Sequence, residues 1–276
     1  MISWNEFSHN QLEEYASIAP PTLVLAAGGT RRSAQLNNIP MADYPSWSRK
    51  EMFRLLKMLF RSGVQHLFCV IFSETNTHET STNYREHMAT WAADLLANQE
   101  AIDVYNTEGW QVRIEALGWP ELSNTDQILQ ASTSQNKKGP TLWYTAIASP
   151  EARWNQIINA ASHATNQSDM IRTIYGEDIP LATMFVGTGK PQLIPSIINP
   201  LLIGKLSCYW PQALGYSLSE DQWKKVLYDF AYLRPTWVAN KTERTQEVLK
   251  YREYWQSSPP IIGIGQRLGP FWFPQT

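Results

Sequence analysis

Cysteine is scarce, charge is nearly balanced, and long apolar runs are missing. Cys69 and Cys208 are the two cysteines in 276 residues. Each stands in apolar company far from the other, which argues against a disulfide framework or a cysteine-rich zinc site and reads both as inert core thiols. Lysine and arginine number 23 against 25 acidic residues, for a net charge of -2 with 17% of the chain charged. Neither a nucleic-acid polymer as partner nor an acidic solvating tail fits that balance. No apolar stretch reaches the roughly 18 residues a membrane span needs. The start, Met1-Ile2-Ser3-Trp4-Asn5-Glu6, lacks the basic and apolar regions of a secretion signal. A soluble, cytoplasmic chain is expected.

Several catalytic signatures are absent too. The five histidines, His9, His66, His78, His87 and His163, include no H-x-x-x-H pair, and no G-x-S-x-G elbow occurs, so a helical zinc site and a serine hydrolase both lack support. Gly187-Thr188-Gly189-Lys190 looks like the end of a P-loop, but Met184 occupies the first glycine position and Pro191 replaces the hydroxyl. No D-D-x-x-D cluster of the kind that binds Mg²⁺ in ionisation-type terpene cyclases is present.

What the chain does have is aromatic rings. Twelve Trp, twelve Tyr and nine Phe make up 12% of it, enough to fill a core and also to line a pocket for an apolar or transiently cationic ligand. Pro21 to Ala27 is an apolar run that stops at Gly28-Gly29, as a buried parallel strand does before a turn. Met52, Leu55, Leu56 and Leu59 then mark a helix expected to begin near Ser46 or Ser48 and to stop at Gly63. His66 to Phe72 reads as a second buried strand. Strand, helix, strand is a βαβ unit whose right-handed crossover brings both strand ends to one edge, so the loops after Ala27 and Phe72 should face each other.

Further along, Tyr84 to Asn98 reads as a helix, and Trp110, Val112, Ile114 and Ala116 alternate as in a strand. Thr141 to Ala148 and Thr183 to Val186 are strand candidates, separated by a helix from about Glu151 to Ala164. Ser219 to Gln222 matches a capping box opening a helix that runs to Pro235. Ser132 to Lys138 reads as a surface loop, and there is no internal repeat. The pattern predicts an α/β fold: a single domain over residues 1–276 with a mainly parallel central sheet flanked by helices.

Two segments carry candidate chemistry. Gly28-Gly29-Thr30-Arg31-Arg32 follows a buried strand. Its glycine amides, the Thr30 hydroxyl and two guanidiniums suit a diphosphate, and open α/β sheets bind ligands at such strand ends. The alternative is a tight turn followed by two solvated arginines. Across the expected crevice lies Ser73-Glu74-Thr75-Asn76-Thr77-His78-Glu79. Here Glu74 and Glu79 could hold Mg²⁺ while Ser73 and Asn76 donate to a phosphate, or the segment is simply a solvated polar loop.

The strand, the G-G-T-R-R loop, Tyr44, the helix and the run Gly63 to Asn76 together resemble the cis-prenyltransferase, undecaprenyl diphosphate synthase-like fold. Gly29-Thr30-Arg31-Arg32, Leu55 to Phe60, Ile71-Phe72-Ser73, Tyr175-Gly176-Glu177, Met184 to Gly187, Val226 to Asp229, Tyr232-Leu233-Arg234, Gly263-Ile264-Gly265 and Phe271-Trp272-Phe273 are similar to a diterpene synthase offshoot of it, the tuberculosinol/tuberculosinyl-adenosine and kolavelool synthases. The resemblance implies ionisation of a bicyclic diterpenyl diphosphate and capture of the allylic cation by water or by a nucleoside such as adenosine. By position, Arg31 and Arg32 fall on the diphosphate-binding arginines, Tyr44 on the active-site tyrosine and Glu74 on the first acid of the acidic segment. A homodimer is also implied.

Two departures stand out. Gly28 occupies the place of the aspartate expected to hold Mg²⁺, which leaves two alternatives: Glu74 or Glu79 recruits the metal, or the arginines act without it. Val186 to Gln192 has none of the arginines of the R-x-S-G-E-x-R segment in elongating relatives, which argues against elongation with isopentenyl diphosphate. Losing the aspartate is also what a non-catalytic subunit of a prenyltransferase complex would do, and Arg267-Leu268-Gly269 resembles the R-x-G through which such subunits act. Tyr44 could place water and relay its proton towards the departing diphosphate; its plain alternative is a core tyrosine with a satisfied hydroxyl.

Overall fold

The structure is a computed structural model that describes residues 2–78, 84–136, 138–212, 214–237, 239, 242–257 and 261–274, with the side chains of residues 84–87 and 243 left aside. In chain order its helices are α1 (Trp4–Ser8), α2 (Thr30–Leu36), α3 (Tyr44–Arg61), α4 (Glu74–Thr77), α5 (Tyr84–Ala97), α6 (Gln99–Thr107), α7 (Ser123–Ser132), α8 (Pro150–Ala161), α9 (Gln167–Tyr175), α10 (Glu220–Tyr228), α11 (Thr242–Glu247) and α12 (Arg252–Gln256). The strands are β1 (Thr22–Ala26), β2 (His66–Phe72), β3 (Gln111–Leu117), β4 (Thr141–Ile147), β5 (Ala182–Gly187), β6 (Ile203–Tyr209), β7 (Gly265–Leu268) and β8 (Phe271–Pro274).

The first six strands form one parallel sheet in the order β3-β4-β2-β1-β5-β6. A parallel sheet with helices on both faces buries its inner strands twice over, which is why β1, β2 and β4 read as near-continuous apolar runs. Successive β1 residues face opposite ways: Leu23 and Leu25 join the larger core with Met52, Leu55, Leu56 and Leu59 of α3, while Val24 joins Phe68, Trp143, Phe185 and Tyr175 on the other face. The expected juxtaposition holds, since β1 and β2 pair in parallel with Leu25 opposite Cys69.

Boundaries and several elements differ from the sequence expectations. Helix α3 begins at Tyr44, ahead of Ser46, because Pro45 sits at the second helical position with its φ already set for the first turn. Arg31 and Arg32 lie in the first turn of α2, where a loop was expected; with Ser33 and Ala34 as its only buried residues, that helix has no apolar stripe to read. The helices α6 and α9 follow directly on α5 and α8, and the edge strand β6 escapes detection because Gly204, Lys205 and Ser207 break its apolar run.

Cys69 is buried as expected, and burial pushes its thiol up to about 12. Cys208, on the edge strand β6, is only half-buried. No helix among the described residues is long and apolar enough to cross a membrane.

Candidate active site

The carboxyl ends of β1 and β2 open into a cavity of about 610 Å³, a size that suits a small-molecule site. Gly28, Gly29, Thr30, Arg31 and Arg32 line it after β1, Ser73, Thr75 and Asn76 line it after β2, and Thr188 lines it after β5. Both arginines are exposed, which puts them at the mouth. Tyr44, Phe72, Met88, Trp91, Leu95 and Tyr216 form the deeper wall. One end is thus rich in hydrogen-bond donors and cationic; the other is aromatic and aliphatic.

Local packing fixes the donor end. Gly29 has φ +84°, a left-handed conformation, and a Cβ built there would lie 2.8 Å from Arg32 Nη2 and 3.1 Å from Leu214 Cδ2. A bare Cα at this position lets the Arg32 guanidinium fold over the loop. The other side of Arg32 meets the Phe271 ring of the β7–β8 hairpin, with Cζ 5.6 Å from the centroid. Thr188 ties the loop to β5 by donating its backbone N–H to Ala26 O at 3.1 Å and its hydroxyl to Gly28 O at 2.7 Å. The P-loop look-alike therefore borders the site, though through Thr188 rather than through Lys190.

Across the cavity, Ser73 caps α4. Its backbone N–H donates to Asn76 Oδ1 at 2.9 Å, and its hydroxyl lies 2.9 Å from Thr75 Oγ1. With its carbonyl oxygen so engaged, Asn76 keeps the amide nitrogen as the group that can donate to a phosphate. Glu74 is partly buried in the same turn but is not among the residues lining the cavity.

Tyr44 belongs to both ends. Its ring stacks on Trp91 at 5.8 Å and 9°, and its hydroxyl shares a 2.7 Å hydrogen bond with Thr30 Oγ1. It is a buried tyrosine with a satisfied hydroxyl and a wall of the cavity at once.

A Mg²⁺ site would need carboxylates at the cavity. Position 28 has no carboxylate, Glu74 does not line the cavity, and Glu79 lies outside the described residues. Among the described residues no three His, Cys, Asp or Glu side chains gather to hold a metal. The described residues alone do not supply the hard, oxygen-rich environment Mg²⁺ takes.

No family model matches the chain. A (+)-kolavelool synthase from Herpetosiphon aurantiacus is 41% identical over 276 residues, covering 98% of this chain and 95% of that one. The chain belongs to the terpene synthases built on the cis-prenyltransferase fold. A tuberculosinyl adenosine transferase from Mycobacterium tuberculosis is 26% identical over 300 residues, covering 99% of this chain and 98% of the transferase.

Solved structures share the fold at much lower identity. Lavandulyl diphosphate synthase from Lavandula x intermedia matches at TM-score 0.54 and 10% identity, over 78% of this synthase and 97% of its own chain. A probable undecaprenyl diphosphate synthase from Campylobacter jejuni matches at TM-score 0.54 and 14% identity, over 81% and 97%.

Sequence reasoning placed the arginines, Thr30, Ser73, Asn76 and Tyr44, and the structure brings all of them to one cavity. It missed Trp91, Thr188 and Tyr216. Trp91 sits on the apolar stripe of α5 and reads as core, and nothing in a sequence without the fold brings Thr188 or Tyr216 to Gly28.

Proposed function

We propose that this synthase ionises a bicyclic diterpenyl diphosphate and quenches the allylic cation with water, yielding a diterpene alcohol and diphosphate. The observation that carries the reading is the two-ended cavity, with guanidiniums and hydroxyls at its mouth and rings in its depth. The 41%-identical kolavelool synthase, a diterpene synthase that makes an alcohol, supports the same class of product.

Heterolysis sends the C–O bonding pair to the diphosphate and leaves a delocalised cation. An enzyme accelerates it by stabilising both ends more in the transition state than in the bound substrate. Arg31, Arg32 and the Gly29 and Thr30 amides receive the growing negative charge. The faces of Trp91, Tyr44 and Phe72 offer their quadrupoles to the cation. Tyr44, hydrogen-bonded to Thr30 beside the diphosphate loop, passes the proton of the attacking water towards the departing diphosphate.

The test incubates the purified chain alone with geranylgeranyl diphosphate and with several bicyclic diterpenyl diphosphates, with and without Mg²⁺ and with and without adenosine, and identifies the products. An alcohol and released diphosphate are expected from a bicyclic substrate. An adenosine adduct in place of the alcohol shifts the acceptor to the nucleoside. Release of no diphosphate from any substrate overturns the reading and leaves the role of a non-catalytic subunit. The arm without Mg²⁺ separates Mg²⁺ recruitment by Glu74 or Glu79 from ionisation by the arginines alone.

A further inference from the structure

We propose that Tyr216 holds the water that attacks the cation, an inference that rests on the ionisation reading above. Residues 214–218 form an irregular strap between β6 and α10, and its backbone is pinned from both sides. Gly215 N–H donates to Gly28 O at 2.8 Å. Gly215 has φ +61°, and a Cβ there would lie 3.0 Å from Thr30 Cα and 3.2 Å from Thr30 Cγ2. From α3, Arg54 donates to the carbonyls of Tyr216 and Leu218. The diphosphate loop and the strap are therefore one packed unit, and it delivers the Tyr216 side chain into the cavity that Tyr44 also lines.

Tyr216 is 9% exposed as a residue, yet its phenol oxygen is not among the fully buried unpartnered polar atoms, and the residue lines the cavity. A phenol oxygen at a cavity wall is commonly satisfied by an ordered water where the space is polar and roomy enough. Burial raises the Tyr216 phenol far above its ordinary 10, with Cys69 and Tyr44 adding to the effect. The group stays protonated at neutral pH, so it holds a water and does not serve as a base.

The step then balances. One O–H of the water donates to the Tyr216 oxygen, and the other points towards Tyr44 and the diphosphate. A lone pair on the water oxygen forms the new C–O bond to the cationic carbon. The oxonium proton passes by way of Tyr44 to the diphosphate, which already carries the electron pair of the broken bond. Without the held water, the same cation loses a C–H proton to the diphosphate and gives an olefin.

Tyr216→Phe removes one oxygen. The measurement is the alcohol-to-olefin ratio among products, normalised to diphosphate released, so that a slower enzyme does not alter it. The ratio is expected to fall about tenfold or more, the scale of one lost hydrogen bond to a reacting group. A wild-type ratio in the variant overturns the assignment, and so does a folded variant that releases no diphosphate, since Tyr216 would then serve ionisation.

A second measurement uses the unaltered enzyme. With methanol added as a competing nucleophile, a held water keeps the methyl ether far below the mole fraction of methanol; ether in proportion to methanol overturns the proposal. If the wild-type chain releases no diphosphate at all, what fails is the ionisation reading itself.

Discussion

At the residue scale the two ends of the cavity predict different phenotypes. Removing one preorganised donor to a developing anion costs about 10²–10³ in rate, so Arg31→Ala and Arg32→Ala are each expected to lower diphosphate release by that factor. Near-wild-type turnover in both variants would detach the arginines from the reaction. Arg32→Lys should recover little, because an ammonium reproduces neither the forked donors nor the flat contact with Phe271. Tyr44→Phe keeps the stack on Trp91 but loses the bond to Thr30; a lower yield of alcohol is expected, and an unchanged yield would return Tyr44 to the plain role of a core ring. His66 makes a prediction about stability. Burial lowers its pKa below the ordinary 6.5, and Nδ1 is buried without a partner. The unfolded chain therefore binds the proton more readily than the folded one, and stability is lost as pH falls below about 6.5. His66→Gln should flatten that part of a plot of melting temperature against pH.

At the element scale, what was legible and what was not follows from which side chains an element buries. Strands β1, β2 and β4 bury both faces and announce themselves, whereas α2 buries only Ser33 and Ala34 and looks like polar loop, although it carries both arginines. Elements are also joined by contacts that sequence does not display. Arg153 on α8 and Glu115 on β3 form a bidentate pair, 1% and 6% exposed, with Nη2 to Oε2 at 2.9 Å and Gln156 and Tyr175 around it. Removing one member leaves an uncompensated buried charge, so Glu115→Ala is expected to cost about 3–5 kcal/mol in a denaturant titration. Replacing both residues with apolar ones of similar volume should recover most of that loss. The strap at 214–218 makes a sharper prediction. Gly215→Ala has to hold φ +61° with a side chain and press against the Thr30 backbone; diphosphate release should drop while the far-UV spectrum stays native. A fully active Gly215→Ala would show that the loop and the strap move independently.

At the scale of the whole molecule, the resemblance implies a homodimer, and the C-terminal part carries several exposed large apolar side chains. Trp237, Tyr254, Trp255 and Ile262 are between 68% and 97% exposed, and apolar side chains of that size are often covered where they gather at an interface. Sedimentation of the purified chain is expected to give twice the monomer mass; a monomer at micromolar concentration would withdraw that expectation. The sequence by itself determined the class of fold and the chemistry of one end of the site. Apolar runs and helical stripes are local patterns fixed by burial, and paired guanidiniums after a strand carry their charge wherever the chain goes. The tertiary structure alone decided what closes round those residues. Trp91, Thr188 and Tyr216 come from three separate stretches of chain and meet because the sheet order sets β5 beside β1 while Gly215 packs on Thr30. Contacts of that kind depend on the relative placement of whole elements, a property of the packed molecule that no short stretch of residues encodes.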